Sequence, residues 1–330
     1  MDKLPFEQVT REIITRKEAT TNPAHGYNPE QRPIQEHISY GIAVINKHAG
    51  PTSHQIADYV SKILNIPRAG NTGTLDPNCT GVLPVTLDKA TRAGQTLLTA
   101  GKEYICLLKL HDDRTPEEIT KAVQAHLGTI TQMPPVKSAV KRQFRQREIY
   151  YINILEIEGR NVLFQVGCQA GTYIRTLCVQ IGKYLKTNGH MQQLVRTKAG
   201  PFTMHDAVTL HDLQDAYMFW KEEGTEAGLR KTIQPYERTA THLPKIWVFD
   251  SAVHAICNGA EVYVSGISKF NPVQPGERAA IMTLKGELIG LGMTAMETEE
   301  IMHLQKGVAI KTDAVFMDKS LYPKPAPRIL

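Results

Sequence analysis

Between Gly70 and Val85 the chain reads Gly-Asn-Thr-Gly-Thr-Leu-Asp-Pro-Asn-Cys-Thr-Gly-Val-Leu-Pro-Val, and a single carboxylate, Asp76, stands in it. Gly70, Gly73 and Gly81 admit backbone conformations that other residues resist, and Pro77 biases Asp76 towards an extended conformation. A lone acid held on such a loop is poised to act on a ligand. The same residues also describe an ordinary turn, with Asp76 bonding its own backbone. The paired carboxylates of most glycosidases are missing from this block, where the next acid is Asp88. None of the twelve histidines falls in a His-Glu-x-x-His or similar spacing. The five cysteines form no Cys-x-x-Cys pair. The sequence therefore predicts neither a metal site nor a disulfide framework.

A second group of residues has nucleic-acid chemistry. Lys137, Lys141, Arg142, Arg145 and Arg147 lie in one short stretch without an acid. That is a phosphate-binding footprint if it faces a substrate, and a solvated basic loop if it does not. Tyr104 lies in a strand-like run, where it is either a half-buried tyrosine or a π-face for a base. The net charge of +5 and a pI of about 8.8 permit an RNA partner without requiring one.

Gly-x-x-Gly-Thr-Leu-Asp-Pro followed by Thr-Gly-Val-Leu-Pro-Val resembles the catalytic motif of the TruB/dyskerin family of RNA pseudouridine synthases. Other blocks resemble that family in the same order. They are Lys47 with Gly50-Pro51-Thr52-Ser53-His54, then Lys102-Glu103-Tyr104, then Pro134-Pro135 with Ser138-Ala139-Val140-Lys141. Gly171-Thr172-Tyr173-Ile174-Arg175 follows, and Leu194, Arg196-Thr197 and Gly200-Pro201-Phe202 close the series. The resemblance spans Gly41 to Phe202.

It implies that uridine is isomerised to pseudouridine. The N1–C1′ bond breaks, the base turns, and C5 joins C1′. No redox change occurs and no atoms are lost, so the resemblance implies no cofactor. Asp76 is the implied nucleophile; attack on C6, attack on C1′ and removal of a sugar proton all remain open for it. Arg175 is the implied guanidinium that keeps Asp76 ionised. Tyr104 would lie against the flipped base near C5, where a proton must leave. Lys47, Asn71, Thr74 and Leu75 would meet the substrate near the catalytic loop. Lys137, Lys141, Arg142 and Arg145 would meet RNA from the basic loop. Asn71 stands where the family usually has His; it can donate and accept hydrogen bonds but carries no charge.

The form Pro-Pro-x-Lys-Ser-Ala-Val-Lys-Arg resembles the archaeal and eukaryotic branch, whose members work in H/ACA guide-RNA particles. The lack of a lysine-rich tail points to the archaeal side. The substrates so implied are the T-loop uridine of tRNA, rRNA addressed by a guide RNA, or both. The implied partners are the H/ACA guide RNA, a small zinc-ribbon-like protein, a β-barrel protein and a kink-turn binder. The alternatives are a non-catalytic RNA scaffold, against which an intact Asp76, Tyr104 and Arg175 argue, and a nucleoside hydrolase.

These residues need a frame to hold them. Tyr40 to Ile45 reads as a strand, and 52–64 as a helix capped by Thr52 or Ser53. Residues 89–99 and 172–185 read as helices, and 104–110 as a strand. Thr115-Pro116-Glu117-Glu118 is a capping box, and 149–157 with 162–168 form a hairpin around Gly159. After His242 the pattern changes to short strands punctuated by Gly, Pro and Asn, which suggests a small β-barrel. That segment resembles a PUA RNA-binding domain. The expected class is α+β: a mixed or antiparallel-sheet pseudouridine synthase catalytic domain plus a small PUA β-barrel. The expected division is an N-terminal extension over 1–38, a catalytic domain over 39–240, a PUA domain over 243–318 and a tail over 319–330. No apolar run is long enough to span a bilayer, and Met1 to Thr21 lacks the apolar centre of a signal peptide. The expected location is the cytoplasm, without a membrane partner.

Overall fold

The computed structural model describes residues 2–134, 141 and 143–324. Two sheets organise them. The larger runs in the order Ile233–Pro235, Gly41–Lys47, Thr80–Leu87, Gly189–Ala199, Lys102–Leu110, Asn161–Cys168, Arg145–Glu158 and Gly128–Gln132. Its named strands pair antiparallel with one exception. Thr80–Leu87 lies parallel to Gly189–Ala199, with Gly81 opposite Arg196. A hairpin cannot join parallel strands. The connection here carries four of the sheet's ten strands and two of its covering helices.

The strands Gly41–Lys47 and Thr80–Leu87 are buried on both faces, so their sequences GIAVINK and TGVLPVTL are nearly continuous apolar runs. One face places Ala43, Ile45, Leu83 and Val85 against the helices Ser53–Ile63 and Leu210–Glu223. The alternate residues Ile42, Val44 and Val82 pack with Leu97 and Phe202 on the other. Farther along, Cys106 and Leu108 meet Ile119, Leu177 and Ile181 from the helices Pro116–Gln124 and Ile174–Tyr184. The capping boxes at Thr52, Thr115 and Thr209 fix where three of these helices start. The stretch read as a helix over 89–99 is a 3₁₀ helix, Asp88–Leu97. Thr91 and Thr96 donate to the carbonyls three residues back, of Asp88 and Ala93, and so favour the tighter turn.

The second sheet runs in the order Ile14–Thr15, Ile267–Phe270, Lys245–Val248, Arg278–Thr283, Leu288–Thr294, Val308–Val315 and Val262–Tyr263. It wraps a single core that includes Ile246, Phe270, Ile281, Ile289 and Ile310. The helix Asp250–Cys257 is an addition to the strands read from the sequence. Its first strand belongs to the N-terminal segment, where Ile14 lies opposite Phe270.

That segment joins both bodies. Leu4 is fully buried, Lys198 donates to Glu7 at 3.0 Å, and Thr21 donates to Asp250 at 2.9 Å. Arg32 donates to both oxygens of Glu237 at 2.9 and 2.6 Å and lies over the rings of Tyr40 and Tyr236. Glu237 also accepts the Leu288 N–H, so one carboxylate ties three parts of the chain. Burial alone would lower the Arg32 pKa; the Glu237 hydrogen bond and charge outweigh it and leave it raised. Glu237→Gln should therefore strand a buried cation and cost about 3–5 kcal/mol. A urea-unfolding midpoint that matches the wild type would reject this role.

Candidate active site

Asp76 stands on the loop between the strands Ala69–Asn71 and Thr80–Leu87. The loop is braced from below by buried donors. Lys47 Nζ donates to the carbonyls of His48, Pro77 and Cys79 at 2.9, 2.9 and 2.8 Å. Ser53 Oγ donates to the Leu75 carbonyl at 3.1 Å and accepts the Leu75 N–H at 2.8 Å. Arg196 donates from Nη2 to the Gly73 carbonyl at 3.1 Å and from Nε to the Val82 carbonyl at 2.8 Å. Gly81 ends the loop at φ +102°, and a Cβ there would fall on the Arg196 backbone carbonyl. Gly81→Ala combines strained backbone with a clash and should cost roughly 3 kcal/mol or more. Denaturation and a single-turnover assay would both register the loss; wild-type stability would show that the parallel pair tolerates a side chain.

Above the loop is a cleft of about 600 Å³, a volume suited to a nucleotide-sized ligand. Asp76, Thr74, Leu75, Lys102, Tyr104, Arg175 and Arg196 are among its lining residues. Arg175, in the first turn of Ile174–Tyr184, donates from Nη2 to Asp76 Oδ2. Their side chains are 46% and 50% exposed, so the pair is open to a ligand. Burial pushes the Tyr104 phenol up to about 12, against the opposing charge of Arg196. Burial and the same arginine pull Lys102 down to about 8. Its ammonium donates to the carbonyls of Leu97, Leu98 and Ala100.

The structure thus brings together Asp76, Arg175, Tyr104, Thr74 and Leu75. It corrects the reading of Lys47 as RNA-facing: the side chain is fully buried and bonded to its own loop. Burial lowers its pKa. Asn71 lies beside the cleft and pairs with His54, Nδ2 to Nδ1, at 2.8 Å. Lys141 is exposed and Arg145 is half-buried, and neither lines the cleft. Arg147 packs at the Gly171 turn, where a Cβ would approach its guanidinium to 3.1 Å. Lys137 and Arg142 lie outside the described residues. Sequence reasoning gave no role to Arg196 or Lys102, although both stand in the blocks that carry the resemblance. The signal was there in the strand Gly189–Ala199, where Leu194 and Arg196 alternate inward. Among the described residues, no cluster of His, Cys, Asp and Glu is placed to hold a metal ion.

The cleft thus holds a carboxylate paired with a guanidinium, and Tyr104 is part of its lining. Residues 61–174 match the model for the TruB family pseudouridylate synthase N-terminal domain. Residues 175–241 match the tRNA pseudouridylate synthase B C-terminal domain. Residues 244–316 match the PUA domain, and residues 2–57 the DKCLD domain. The probable tRNA pseudouridine synthase B of Methanosarcina acetivorans is 52% identical over 98% of this chain and 95% of its own. That of Methanopyrus kandleri is 50% identical, with the same coverage. A chain in a solved Cbf5–Nop10–Gar1 complex superposes with a TM-score of 0.92 at 49% identity, covering 98% of this chain and 99% of that one. A chain in an H/ACA ribonucleoprotein bound to a substrate RNA containing 2′-deoxyuridine gives 0.91 at 46% identity, covering 98% and 99%. The chain belongs to the TruB/dyskerin family of pseudouridine synthases, in its archaeal branch, and its class of reaction is isomerisation.

Proposed function

We propose that this chain converts uridine to pseudouridine in RNA, with Asp76 as nucleophile, Arg175 holding its carboxylate, and Tyr104 under the flipped base near C5. The observation that carries the reading is the Asp76–Arg175 pair, open to a nucleotide-sized cleft that Tyr104 also lines. The base must leave its stack to enter such a cleft, and an aromatic face compensates for the lost stacking. The C–C bond forms inside the same cleft, so no group other than the chain's own side chains is assigned a step.

The substrates are the T-loop uridine of tRNA and rRNA uridines selected by an H/ACA guide RNA. The partners are that guide RNA, a small zinc-ribbon-like protein, a β-barrel protein and a kink-turn binder. Support comes from relatives named for tRNA and from the assemblies in which the structural neighbours were solved. Residues 39–240 act as the catalytic unit, and 243–318 hold RNA through phosphate and base-edge contacts. The exposed Lys141 and the half-buried Arg145 add phosphate contacts. The reaction takes place in the cytoplasm.

The test is tritium release from C5-labelled uridine, first in unmodified tRNA with the purified chain, then in rRNA with guide RNA and partners. Release from both supports both substrates. Free uracil among the products would mean hydrolysis, and RNA binding without release under either condition would reject the enzyme.

A further inference from the structure

Lys102 is buried, and its ammonium donates to three carbonyls of a single turn: Leu97 at 2.9 Å, Leu98 at 3.4 Å and Ala100 at 2.7 Å. An ammonium has three hydrogens to donate, and this one directs all of them into residues 97–100. Burial first, and Arg196 second, lower its pKa to about 8, so the charged form still prevails at neutral pH. A buried charge that is satisfied only by consecutive carbonyls fixes the backbone that carries them.

The same turn is pinned from its other sides. The Leu98 N–H donates to the Gln95 carbonyl at 3.3 Å, and the Gly101 carbonyl accepts the Gly200 N–H at 2.9 Å. Gly200 lies beneath at φ +57°, where a Cβ would come within 3.0 Å of the Leu97 side chain and 3.1 Å of that of Ala100. Leu97 and Ala100 are buried against the fold. Leu98 is turned the other way. It is 57% exposed and lines the cleft together with Asp76, Tyr104 and Arg175. Other apolar lining residues, Leu75, Ile174 and Leu194, are buried. An exposed leucine alone signifies nothing. This one stands on a turn that cannot easily shift, so its apolar surface is open while the backbone beneath it is already ordered for a ligand.

We propose that Leu98 contacts substrate, covering the flipped uridine base at the mouth of the cleft, and that Lys102 is the positioning residue that holds it there. This deepens the pseudouridine-synthase reading above and rests on it. After the N1–C1′ bond breaks and before C5 joins C1′, nothing links the base directly to its sugar. The ring must turn in place while water is kept from the gap. Hydrogen bonds to its polar edge would resist that turn, because they are directional. An aliphatic cover is not directional, so it retains the ring in every orientation.

The experiment uses two unmodified tRNAs, one with uridine and one with an abasic ribose at the T-loop target. Dissociation constants are measured in the Asp76→Asn chain, so that nothing turns over, with and without Leu98→Ala. Single-turnover rates at saturating RNA are measured in the chain that keeps Asp76. Leu98→Ala should weaken binding of the uridine RNA about fivefold relative to the abasic RNA, and slow pseudouridine formation about tenfold. Its unfolding midpoint should match the wild type, because the side chain is mostly exposed. Leu98→Met should restore most of both losses. Equal weakening for the two RNAs would make Leu98 a contact to the rest of the tRNA and overturn the proposal, as would unchanged binding and rate. Lys102→Met should reproduce the slow rate, and adding Leu98→Ala to it should change little more. Additive losses would reject action through Leu98. Should Lys102→Met fail to fold, Lys102→Gln, which keeps donor hydrogens, takes its place in the cycle. A wild-type chain that makes no pseudouridine would reject the underlying function before any variant is compared.

Discussion

Asp76→Asn should lose turnover by more than about a thousandfold while folding and RNA binding stay close to wild type. The substitution is nearly isosteric and removes only charge and nucleophilicity. The loop does not depend on the carboxylate for its shape. Its braces come from Lys47, Ser53 and Arg196, and each reaches a backbone atom. The Asp76 carbonyl still accepts the Cys79 N–H at 3.0 Å when the side chain changes. Among the described residues the half-exposed carboxylate has one side-chain partner, Arg175, from which an amide oxygen can still accept. Tritium release in a single turnover, beside circular dichroism and a filter-binding constant, separates chemistry from structure. A rate near wild type would remove Asp76 from the mechanism.

Arg175→Lys should cost about a hundredfold in the same assay. One ammonium on a flexible stem cannot reproduce a planar fork, and the carboxylate would swing away from its attacking position. The fold should be unaffected, because Ile174, Leu177, Cys178 and Ile181 anchor the helix that carries residue 175. Both rate at saturation and apparent RNA affinity need measuring. A fall in the rate with affinity retained assigns Arg175 to the reacting carboxylate. Loss of affinity alone would make it a phosphate contact, and no change at all a surface charge.

The catalytic loop was legible because Gly and Pro positions constrain the backbone whatever surrounds them. Thr52 and Thr115 were legible for a similar reason: a capping box satisfies donors within a few residues, so it is written locally. Lys47 was misread because two of its three carbonyl partners, Pro77 and Cys79, come from a loop that doubles back 30 and 32 residues later. Nothing adjacent to a lysine announces that it will be buried. Arg196 was passed over because an inward position in a strand reads as apolar, and the carbonyls it braces, of Gly73 and Val82, lie more than a hundred residues earlier in the chain. The helix Asp250–Cys257 has too few turns to set up a period, and Ile14–Thr15 is too short to alternate.

The pairing of Ile14 with Phe270 bears on how the molecule is made. A ribosome adds about 5–20 residues per second, so tens of seconds separate the emergence of these two strands. During that interval the first part of the chain has lost no entropy to its native partner and holds an unpaired edge. Arg16, whose acceptors are the carbonyls of Ile301 and Leu304, waits longer still. The leading end is therefore among the last pieces to dock, and closure of a loop this long slows the final step. A chain released early, before Ile267–Phe270 is complete, would have its larger sheet formed and its N-terminal strand without a berth. Such fragments should be captured by proteases at residues 9–31, well ahead of any cut in the catalytic sheet.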